Sequence, residues 1–364
     1  MKIAHFCDSI NQGGGISSFV SSLTSEQSIN NEITIGVISK SQSQDVIFEP
    51  NINVHNFGKS SQGFSIKYPL LIFIFLLKNK YDIVHIHSSF LYYALSIILL
   101  RWKMKFIYTV HSDAKMENSS IWDKRFLWLK KFCFKHKYLY PVTISSASKL
   151  SFDNLYRMDS HMIENGIRRP LIKNPTTKLK KYRYTNNTLL FLHPGRISEA
   201  KNQITLCRVF KRLIDDGYDI TLIIAGVKQD QKIFSELEKY FTDRIVYLGE
   251  RNDIIDLMRE SDAMCLSSIW EGLPITLLEA ISVGCIPICT PVGGIPNVIT
   301  HNTNGILSKS SKEDDFYNAV MHFINIPNNT KDKIRIAAKE SFEDYDIKRT
   351  SQNYINYYET IIRN

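Results

Sequence analysis

Short apolar runs rich in isoleucine and valine recur along almost the whole chain, and a segment with helical periodicity follows nearly every one of them. This alternation is typical of a parallel β-sheet covered by helices, because parallel strands need a crossover connection. The strand candidates form two series, and a stretch without apolar periodicity separates them. The first series comprises 3–7, 33–39, 83–87, 106–110 and 142–145, and the second comprises 189–193, 220–225, 245–248, 263–266 and 286–289.

The two series predict an α/β protein with two doubly wound, Rossmann-like domains. We expect an N-terminal domain over 1–166, a linker over 167–187 and a C-terminal domain over 188–344. The linker expectation rests on two prolines, several lysines and the lack of apolar periodicity. Ligands of open α/β sheets bind outside the carboxyl ends of the strands, so we expect the two domains to face a central cleft.

Length and composition narrow the class of protein. A chain of 364 residues with 44% hydrophobic residues can bury a core in each of two domains. The longest apolar runs, 68–77 and 90–100, are shorter than the ~20 residues of a membrane-spanning helix, and we expect buried helices there. The six cysteines lack zinc or redox spacing, and a strand directly after Lys2 predicts no signal peptide. We therefore expect reduced thiols and a cytoplasmic protein.

Three consecutive glycines, Gly13, Gly14 and Gly15, follow the first predicted strand and open a helix. Their backbone amides suit a phosphate or another polar ligand. The order Gly-x-Gly-x-x-Ser and the lack of an acidic residue after the second strand argue against a dinucleotide such as NAD. A tight turn without a ligand is the alternative interpretation.

The second domain opens with the segment LHPGRISEAKNQ. Gly195 and Arg196 end a predicted strand, and Lys201 stands at the start of the next helix. A guanidinium and an ammonium separated by one strand-to-helix turn can both reach a single diphosphate. Two surface cations without a ligand are the alternative.

The segment WEGLPITLLEA, 270–280, predicts a turn followed by an apolar helix. A proline suits the first turn of a helix, since it lacks the N–H that would be unpaired there. The free amides around this turn would carry the positive end of the helix dipole. We assign this turn to binding the diphosphate of a nucleotide-sugar donor. It comprises Gly272, Leu273, Pro274 and Ile275.

Two glutamates flank the apolar residues of this helix. The Glu279 carboxylate would be costly to bury without partners, and adjacent ribose hydroxyls are suitable because a carboxylate accepts several hydrogen bonds. Glu271, about two turns nearer the helix start, would then lie close to the sugar of a nucleotide-sugar. The alternatives are an ion pair with Arg or Lys of its own domain for Glu279, and an exposed acid before the helix for Glu271.

These motifs, in this order, resemble the group 1 retaining glycosyltransferases, the family-four enzymes with the GT-B fold. The likeness covers most of the chain. It includes the two glutamates separated by seven residues, the GR-x4-K element, the glycine loop, and the segments VTISS, ENGI and VGGIP at 142–146, 164–167 and 292–296. Two positions depart from the family pattern, because Asn297 stands where Glu is common and Arg168 stands where Asp is usual.

The resemblance implies further roles. His111, in YTVHSD, matches the family histidine that contacts the donor sugar near the scissile bond. His87, in IVHIHSS, would line the acceptor side. For both, a histidine satisfied by backbone hydrogen bonds is the alternative. The resemblance also implies acceptor binding in the N-terminal domain, nucleotide-sugar binding in the C-terminal domain, and a last helix, 345–364, that packs back onto the N-terminal domain.

The charges predict a reaction without a metal or another cofactor. Cleavage of the sugar–phosphate bond leaves negative charge on the diphosphate, which two cations and the helix amides can stabilise. The Asp-Tyr-Asp sequence at 344–346 starts a predicted helix, where capping explains its carboxylates better than metal binding. We assign catalysis to Glu271, His111, Arg196 and Lys201, and the resemblance implies retention of configuration.

The net charge of +9 is concentrated between 101 and 140, where ten Lys and Arg face three Asp and Glu. We predict one helix over 122–136, with Trp122, Phe126, Leu129 and Cys133 on its apolar face. Its basic face resembles that of an interfacial helix, which predicts contact with an anionic membrane. This face comprises Lys124, Trp128, Lys131 and Lys135. A solvated basic face is the alternative, and no nucleic-acid module is found.

The sequence therefore predicts a retaining, metal-independent glycosyltransferase of the hexosyltransferase type. It would move a sugar from a nucleotide-sugar to a glycan or lipid-linked acceptor in bacterial capsule or O-antigen synthesis, in the cytoplasm and in peripheral contact with the inner face of the membrane. A catalytically silent GT-B scaffold subunit and a nucleotide-sugar epimerase are the alternatives. A silent scaffold subunit would not bind or use a donor, and an epimerase would need no acceptor.

Overall fold

The structure, a computed structural model, describes residues 1–10, 15–40, 48–60, 64–118, 120–170 and 178–363. The chain forms two compact units. The first unit comprises Met1–Arg168 together with Asp346–Asn364, and the second comprises Arg169–Tyr345. Each unit is built on its own parallel sheet.

The first unit contains a seven-stranded sheet in the order β3-β2-β1-β4-β5-β6-β7, with every pair parallel. The strands are β1 Lys2–Cys7, β2 Glu32–Ser39, β3 Asn53–Lys59, β4 Ile83–Ile86, β5 Lys105–Val110, β6 Tyr140–Thr143 and β7 His161–Met162. The register pairs His5 of β1 with His85 of β4. Strands β3 and β7 lie at the edges and were not predicted, because their residues are mostly exposed and lack a buried apolar pattern.

Helices cover both faces of this sheet. They are α1 Gly15–Gln27, α2 Lys67–Asn79, α3 Ala94–Leu100, α4 Ala114–Glu117, α5 Ile121–Arg125, α6 Leu127–Lys135, α7 Ser146–Tyr156 and α15 Ile347–Arg363. Helices α2, α3, α6 and α7 pack on the face that holds Phe6, Val84 and Phe106. Successive strand residues point to opposite faces, so His5 and His85 belong to the other face. Helices α1 and α15 contact each other, and their Phe19 and Tyr354 rings lie against histidines of that face.

The second unit contains a six-stranded parallel sheet in the order β10-β9-β8-β11-β12-β13. The strands are β8 Leu189–Pro194, β9 Ile220–Ala225, β10 Ile245–Tyr247, β11 Ala263–Leu266, β12 Ile286–Cys289 and β13 Ile306–Leu307. The helices are α8 Gln203–Asp215, α9 Gln231–Leu237, α10 Ile254–Glu260, α11 Ile275–Val283, α12 Ile295–Val298, α13 Glu313–Asn325 and α14 Asn328–Ser341. Strands β8 and β11 lie side by side at the centre, so the loops after them are neighbours.

The predicted linker was placed too far along the chain. Residues 178–187 belong to the second unit instead of connecting two units. The Lys178 ammonium contacts the carboxylates of Asp253 and Asp256 at 2.6 Å and 3.1 Å, and Leu179 is 1% exposed. This segment is fixed by ion pairs and one buried side chain, which leave no periodic pattern in the sequence.

The two apolar runs expected to be buried helices are exposed along one side. On α2, Leu70 is 53% exposed, while Ile72 and Leu76 are fully buried against the sheet. In α3, Leu99 is 52% exposed. Both helices therefore present apolar side chains to solvent as well as to the core. Among the helices of the described ranges, none combines the length and hydropathy needed to cross a bilayer.

Candidate active site

The loop after β8 is anchored to the ends of the neighbouring strands. The Gly195 amide donates to the Ala225 carbonyl at 2.8 Å, and Ser267 Oγ donates to the Lys201 carbonyl at 3.1 Å. Gly226 has φ +157°, and a Cβ there would lie 1.9 Å from the Gly195 carbonyl oxygen. Only glycine permits this close approach. The loop that carries the predicted cationic residues is therefore held at the carboxyl end of the sheet.

The predicted catalytic residues Lys201 and Glu271 form an ion pair. Lys201 Nζ lies 2.6 Å from Glu271 Oε1, and the two side chains are only 16% and 10% exposed. Ser268 Oγ donates to the same carboxylate oxygen at 2.6 Å. The sequence interpretation gave these residues separate partners on a donor, and the alternative for Glu271 was an exposed acid. The structure instead brings them together in a largely buried pair.

The loop that contains Glu271 is supported by the VGGIP segment. The Gly294 amide donates to the Gly272 carbonyl at 2.6 Å. Gly293 has φ +58°, and a Cβ at this position would lie 2.0 Å from the Glu271 carbonyl oxygen. Thr290 Oγ1 also donates to the Ser268 carbonyl at 2.7 Å. The VGGIP glycines thus fix the main chain that presents the Glu271 carboxylate.

The first turn of α11 leaves several polar groups unpaired. Pro274 directly precedes the helix, and the first hydrogen bond that closes it runs from the Leu277 amide to the Pro274 carbonyl at 3.0 Å. Within the described ranges, the Ile275 and Thr276 amides contact no hydrogen-bond acceptor. Thr276 Oγ1 is buried and also lacks a partner there. This turn offers donors to an anionic or hydroxyl-bearing ligand.

Glu279 lies one turn further along α11 and is partly buried. Burial raises the pKa of its carboxyl to about 7. Across the part of the chain that the structure describes, no Arg or Lys pairs with this carboxylate, and no group donates a hydrogen bond to it. The alternative, an ion pair between Glu279 and an Arg or Lys of its own domain, is therefore not found among the described residues. The carboxylate is available to hydroxyl groups of a ligand.

Arg196 is exposed, and its guanidinium contacts no acceptor among the described residues. Its main chain, in contrast, is held by two residues that the sequence interpretation missed. Gln203 Nε2 donates to the Arg196 carbonyl at 2.8 Å and to His193 Nε2 at 3.1 Å. His193 Nδ1 donates to the Cys265 carbonyl at 2.8 Å, and burial lowers the pKa of this imidazole to about 4. His193 and Gln203 both lie in the LHPGRISEAKNQ segment, so the motif itself contained the two residues that hold this loop.

In the first unit, His111 follows β5, and its main chain is held by a half-buried carboxylate. The Glu117 Oε1 atom accepts from the amides of His111 at 2.6 Å and Ser112 at 3.2 Å. Lys130 is 4% exposed and lies 4.0 Å from the centre of the Tyr108 ring. Burial lowers the pKa of the Lys130 ammonium to about 8, whereas the nearby Glu117 raises it. The sequence interpretation missed both Glu117 and Lys130.

His87 is buried, and its Nδ1 lies 2.9 Å from His111 Nε2. The rings of His87 and His111 therefore hydrogen-bond to each other. The alternative, in which backbone groups satisfy these histidines, is wrong for the two rings. Burial lowers the pKa of the His111 imidazole to about 3, so the ring is neutral at physiological pH.

Comparisons with known proteins match both units. Residues 13–169 match the family model "Glycosyltransferase Family 4", and residues 176–341 match "Glycosyl transferases group 1". The chain belongs to the group 1 glycosyltransferases. It is a nucleotide-sugar-dependent glycosyltransferase.

Individual relatives agree with this family. The chain is 29% identical over 268 residues to an Escherichia coli enzyme, UDP-Gal:alpha-D-GlcNAc-diphosphoundecaprenol alpha-1,3-galactosyltransferase, covering 68% of this chain and 67% of the relative. It is 25% identical over 308 residues to the Staphylococcus aureus capsular polysaccharide biosynthesis glycosyltransferase CapH, covering 80% and 82%. The crystal structure of Anabaena HepE in complex with UDP superposes with a TM-score of 0.80 at 19% identity, covering 99% and 100%. The predicted GT-B fold is confirmed.

The glycine loop of this glycosyltransferase is described only from Gly15, the exposed first residue of α1. Gly13 and Gly14 lie outside the described residues. Ser17 Oγ, on the first turn of α1, donates to the Ser9 carbonyl at 3.1 Å. The role of Gly14 and Gly15 in donor binding stays a prediction.

The single basic helix predicted over 122–136 is wrong, because the glycosyltransferase forms two short helices there, α5 and α6. Phe126 separates them with φ −104° and ψ 13°. Ser120 caps α5 through its Oγ, which accepts from the Asp123 amide at 3.0 Å. Lys130 of α6 is buried near Glu117, whereas the predicted contact residues remain exposed. These are Lys124, Trp128, Lys131 and Lys135, with Trp128 at 65%.

Proposed function

We propose that this glycosyltransferase transfers a hexose from a nucleotide-sugar to a lipid-linked or glycan acceptor, with retention of configuration and without a metal. The observation that carries the proposal is the open first turn of α11, where unpaired amides and Thr276 Oγ1 lie one turn from an unpaired carboxylate, Glu279. A nucleoside diphosphate has both the phosphate oxygens and the ribose hydroxyls that such a turn can bind. Proposed donor contacts comprise Gly195, Gly272, Leu273, Pro274, Ile275 and Glu279.

The leaving diphosphate needs positive charge in this mechanism. Lys201 and Arg196 flank one loop, and the α11 dipole adds partial positive charge at its first turn. These fixed groups stabilise the charge that develops as the sugar–phosphate bond breaks. Glu271, held by Lys201 and Ser268, would contact the transferred sugar. His111 of the first unit keeps its proposed role in catalysis.

The names of two relatives support the acceptor class. The E. coli enzyme acts on a diphosphoundecaprenol-linked sugar, and the S. aureus protein belongs to capsular polysaccharide biosynthesis. We infer that this protein extends a lipid-linked glycan during the synthesis of a bacterial surface polysaccharide. UDP is the first nucleotide to test, because HepE was crystallised with it.

The proposed reaction predicts a specific pattern of ligand binding. In thermal-shift measurements with EDTA, one nucleoside diphosphate and its sugar conjugates should stabilise the protein, while NAD should not. At ~100 times its Kd such a ligand adds about 2.7 kcal/mol to the free energy of unfolding. Radiolabelled sugar should then move from that donor to undecaprenyl-diphosphate-linked sugars in the same buffer, with an α-configured product from an α-configured donor.

Each other outcome favours a different function. Stabilisation by no nucleotide would favour a silent scaffold subunit, and conversion of the donor without an acceptor would favour an epimerase. Transfer that requires restored Mg²⁺ or Mn²⁺ would contradict the metal-free mechanism. An inverted product would contradict retention.

We further propose that the first unit contacts an anionic membrane surface. Lys124, Lys131 and Lys135 are exposed around Trp128. The neighbouring α2 and α3, together with the turn after α3, add exposed apolar side chains and no acidic residue. These side chains are Leu70, Ile74, Leu77, Leu95, Leu99 and Trp102. Lysines beside apolar side chains are typical of surfaces that bind the headgroup layer.

Vesicle flotation tests this contact. Each lysine near an anionic surface contributes about 1 kcal/mol, so replacing Lys124, Lys131 and Lys135 by Gln should weaken binding to phosphatidylglycerol vesicles by about 100-fold. The matched control replaces three exposed lysines of the second unit by Gln, namely Lys232, Lys312 and Lys333. Equal losses in both triple variants would contradict a defined membrane face, as would equal binding of the wild type to uncharged phosphatidylcholine vesicles.

A further inference from the structure

A continuous chain of hydrogen bonds crosses the interior of the first unit and ends at His111. Gln27 Oε1 lies 2.8 Å from His5 Nε2, and His5 Nδ1 lies 3.1 Å from His87 Nε2. His87 Nδ1 lies 2.9 Å from His111 Nε2. Gln27 is 2% exposed, His5 is fully buried and His87 is 4% exposed, so water does not replace any of these partners.

The fold places these residues on one face of the sheet. His5 belongs to β1, His87 directly follows the end of β4, and His111 directly follows β5. Gln27 is the last residue of α1, which covers that face. The chain of hydrogen bonds therefore joins three adjacent strands and one helix.

We propose that Gln27, His5 and His87 are positioning residues that set the tautomer of the His111 ring. A neutral imidazole has one N–H donor and one bare nitrogen acceptor, so rings bonded nitrogen to nitrogen must all point their protons the same way. The Gln27 side chain turns its oxygen toward His5 Nε2, and this oxygen accepts and does not donate. The buried Gln27 Nε2 has no partner among the described residues. The oxygen fixes a proton on His5 Nε2, which leaves His5 Nδ1 to accept from His87 Nε2.

The same constraint applies at the His111 end of the hydrogen-bond chain. His87 Nδ1 is then bare and accepts the proton of His111 Nε2. His111 Nδ1 is left as a lone-pair acceptor, and no group of the described residues donates to it. A sugar hydroxyl can donate to this atom, whereas the opposite tautomer would present an N–H there. Burial lowers the pKa of all three imidazoles, which keeps them neutral and the order of protons intact.

A metal site is the competing explanation for these histidines. Nitrogens of His5, His85 and His87 lie within 4.8 Å of one another. However, His5 and His87 already bond to each other, and the His85 nitrogens lie 2.6 Å from Tyr358 Oη and Thr109 Oγ1. The hydrogen bonds satisfy these nitrogens without an ion.

Nitrogen-15 NMR of the histidine-labelled, full-length protein tests the hydrogen-bond chain independently of activity. The resting protein should show His5, His87 and His111 as neutral rings protonated on Nε2, each assigned by its loss in the single variants His5→Gln, His87→Gln and His111→Ala. Rings protonated on Nδ1 would overturn the proposal, and so would stoichiometric Zn²⁺ retained through purification. Since the proposal rests on the proposed role of His111 in transfer, Nε2-protonated rings in a protein that transfers no sugar would refute the function alone.

A double-mutant cycle tests the link to His111. Gln27→Met keeps the side-chain volume and removes the acceptor, so we expect a fall in kcat on the order of tenfold with little change in KM, the size usual for outer partners of a site residue. In a His111→Ala background the same change should have no further effect on kcat. The control Thr109→Val removes a hydrogen bond from His85 in the same core and should leave kcat unchanged. An equal fall in kcat from Gln27→Met with and without His111 would overturn the proposal, because the effect would then be structural.

Discussion

Replacement of Lys201 by methionine is expected to lower the rate of sugar transfer by about 10²- to 10³-fold, the usual loss when one fixed group that stabilises developing negative charge is removed. The substitution keeps the aliphatic length and deletes the ammonium. Lys201 is also the cation paired with Glu271 at 2.6 Å, so the glutamate loses its partner in a largely buried position. The measurement is single-turnover transfer from a saturating donor.

The same variant should be less stable. An unpaired acceptor in a buried position costs about 1–3 kcal/mol, and the remaining Ser268 hydroxyl favours the lower part of this range. The double variant Lys201→Met with Glu271→Gln removes both charges and should recover most of this free energy of unfolding without recovering activity. A Lys201→Met rate within threefold of wild type would contradict a role for Lys201 in the departure of the diphosphate.

Replacement of Glu279 by glutamine is expected to weaken donor binding by about 10- to 100-fold, because hydrogen bonds to a charged acceptor contribute about 1.5–3 kcal/mol each and a neutral amide accepts more weakly. The change is isosteric, so the α11 helix keeps its packing. Isothermal titration with a UDP-sugar measures the loss directly. Wild-type affinity in this variant would contradict contact between Glu279 and the ribose.

The same carboxylate predicts a pH dependence with a definite sign. Burial raises the pKa of Glu279 to about 7 in the free protein, and hydroxyl donors favour its ionised form. Binding therefore releases a proton, and affinity for a UDP-sugar should rise as the pH increases from 6 to 8. In Glu279→Gln the slope should vanish. A sugar conjugate is preferable to UDP itself, whose terminal phosphate titrates in the same range.

Linkage gives the matching effect on the free protein. Since the folded pKa of Glu279 lies above the unfolded value of an ordinary glutamate, the protonated carboxyl favours the folded state, and this contribution is lost as the pH rises through 7. Without ligand, Glu279→Gln should therefore melt at a higher temperature than wild type at pH 8 and at a similar temperature at pH 5. A lower melting temperature at pH 8 would indicate a stabilising partner for the carboxylate.

Much of the fold could be predicted from the sequence because buried parallel strands are continuous apolar runs. All ten predicted strands coincide with strands of the structure to within a few residues. The edge strands β3, β7 and β13 were missed. Strands β7 and β13 have two residues each, and most β3 side chains are exposed, so pattern alone does not separate these strands from loops.

The candidate site was proposed from short motifs in which charged residues stand out at the ends of apolar elements. Glu271, Glu279 and Lys201 were selected in this way, and the structure joins Lys201 and Glu271 in one ion pair. Gln203 lies within the same motif as Lys201 but was missed, because its amide acts on a neighbour's main chain and not on a ligand. Glu117 was missed for a similar reason, since it binds the backbone of His111.

The sequence by itself determined the two α/β series, the loops that follow their strands and the charged residues in those loops, because these follow from periodicity and residue type along a local segment. Only the tertiary structure decided which of those residues meet. The Lys201–Glu271 pair joins positions seventy residues apart, and the chain from Gln27 to His111 depends on the order and register of three parallel strands. Strand order and register depend on packing between segments that are distant in sequence. These strands are buried on both faces, so their residues carry no alternation that would specify the register.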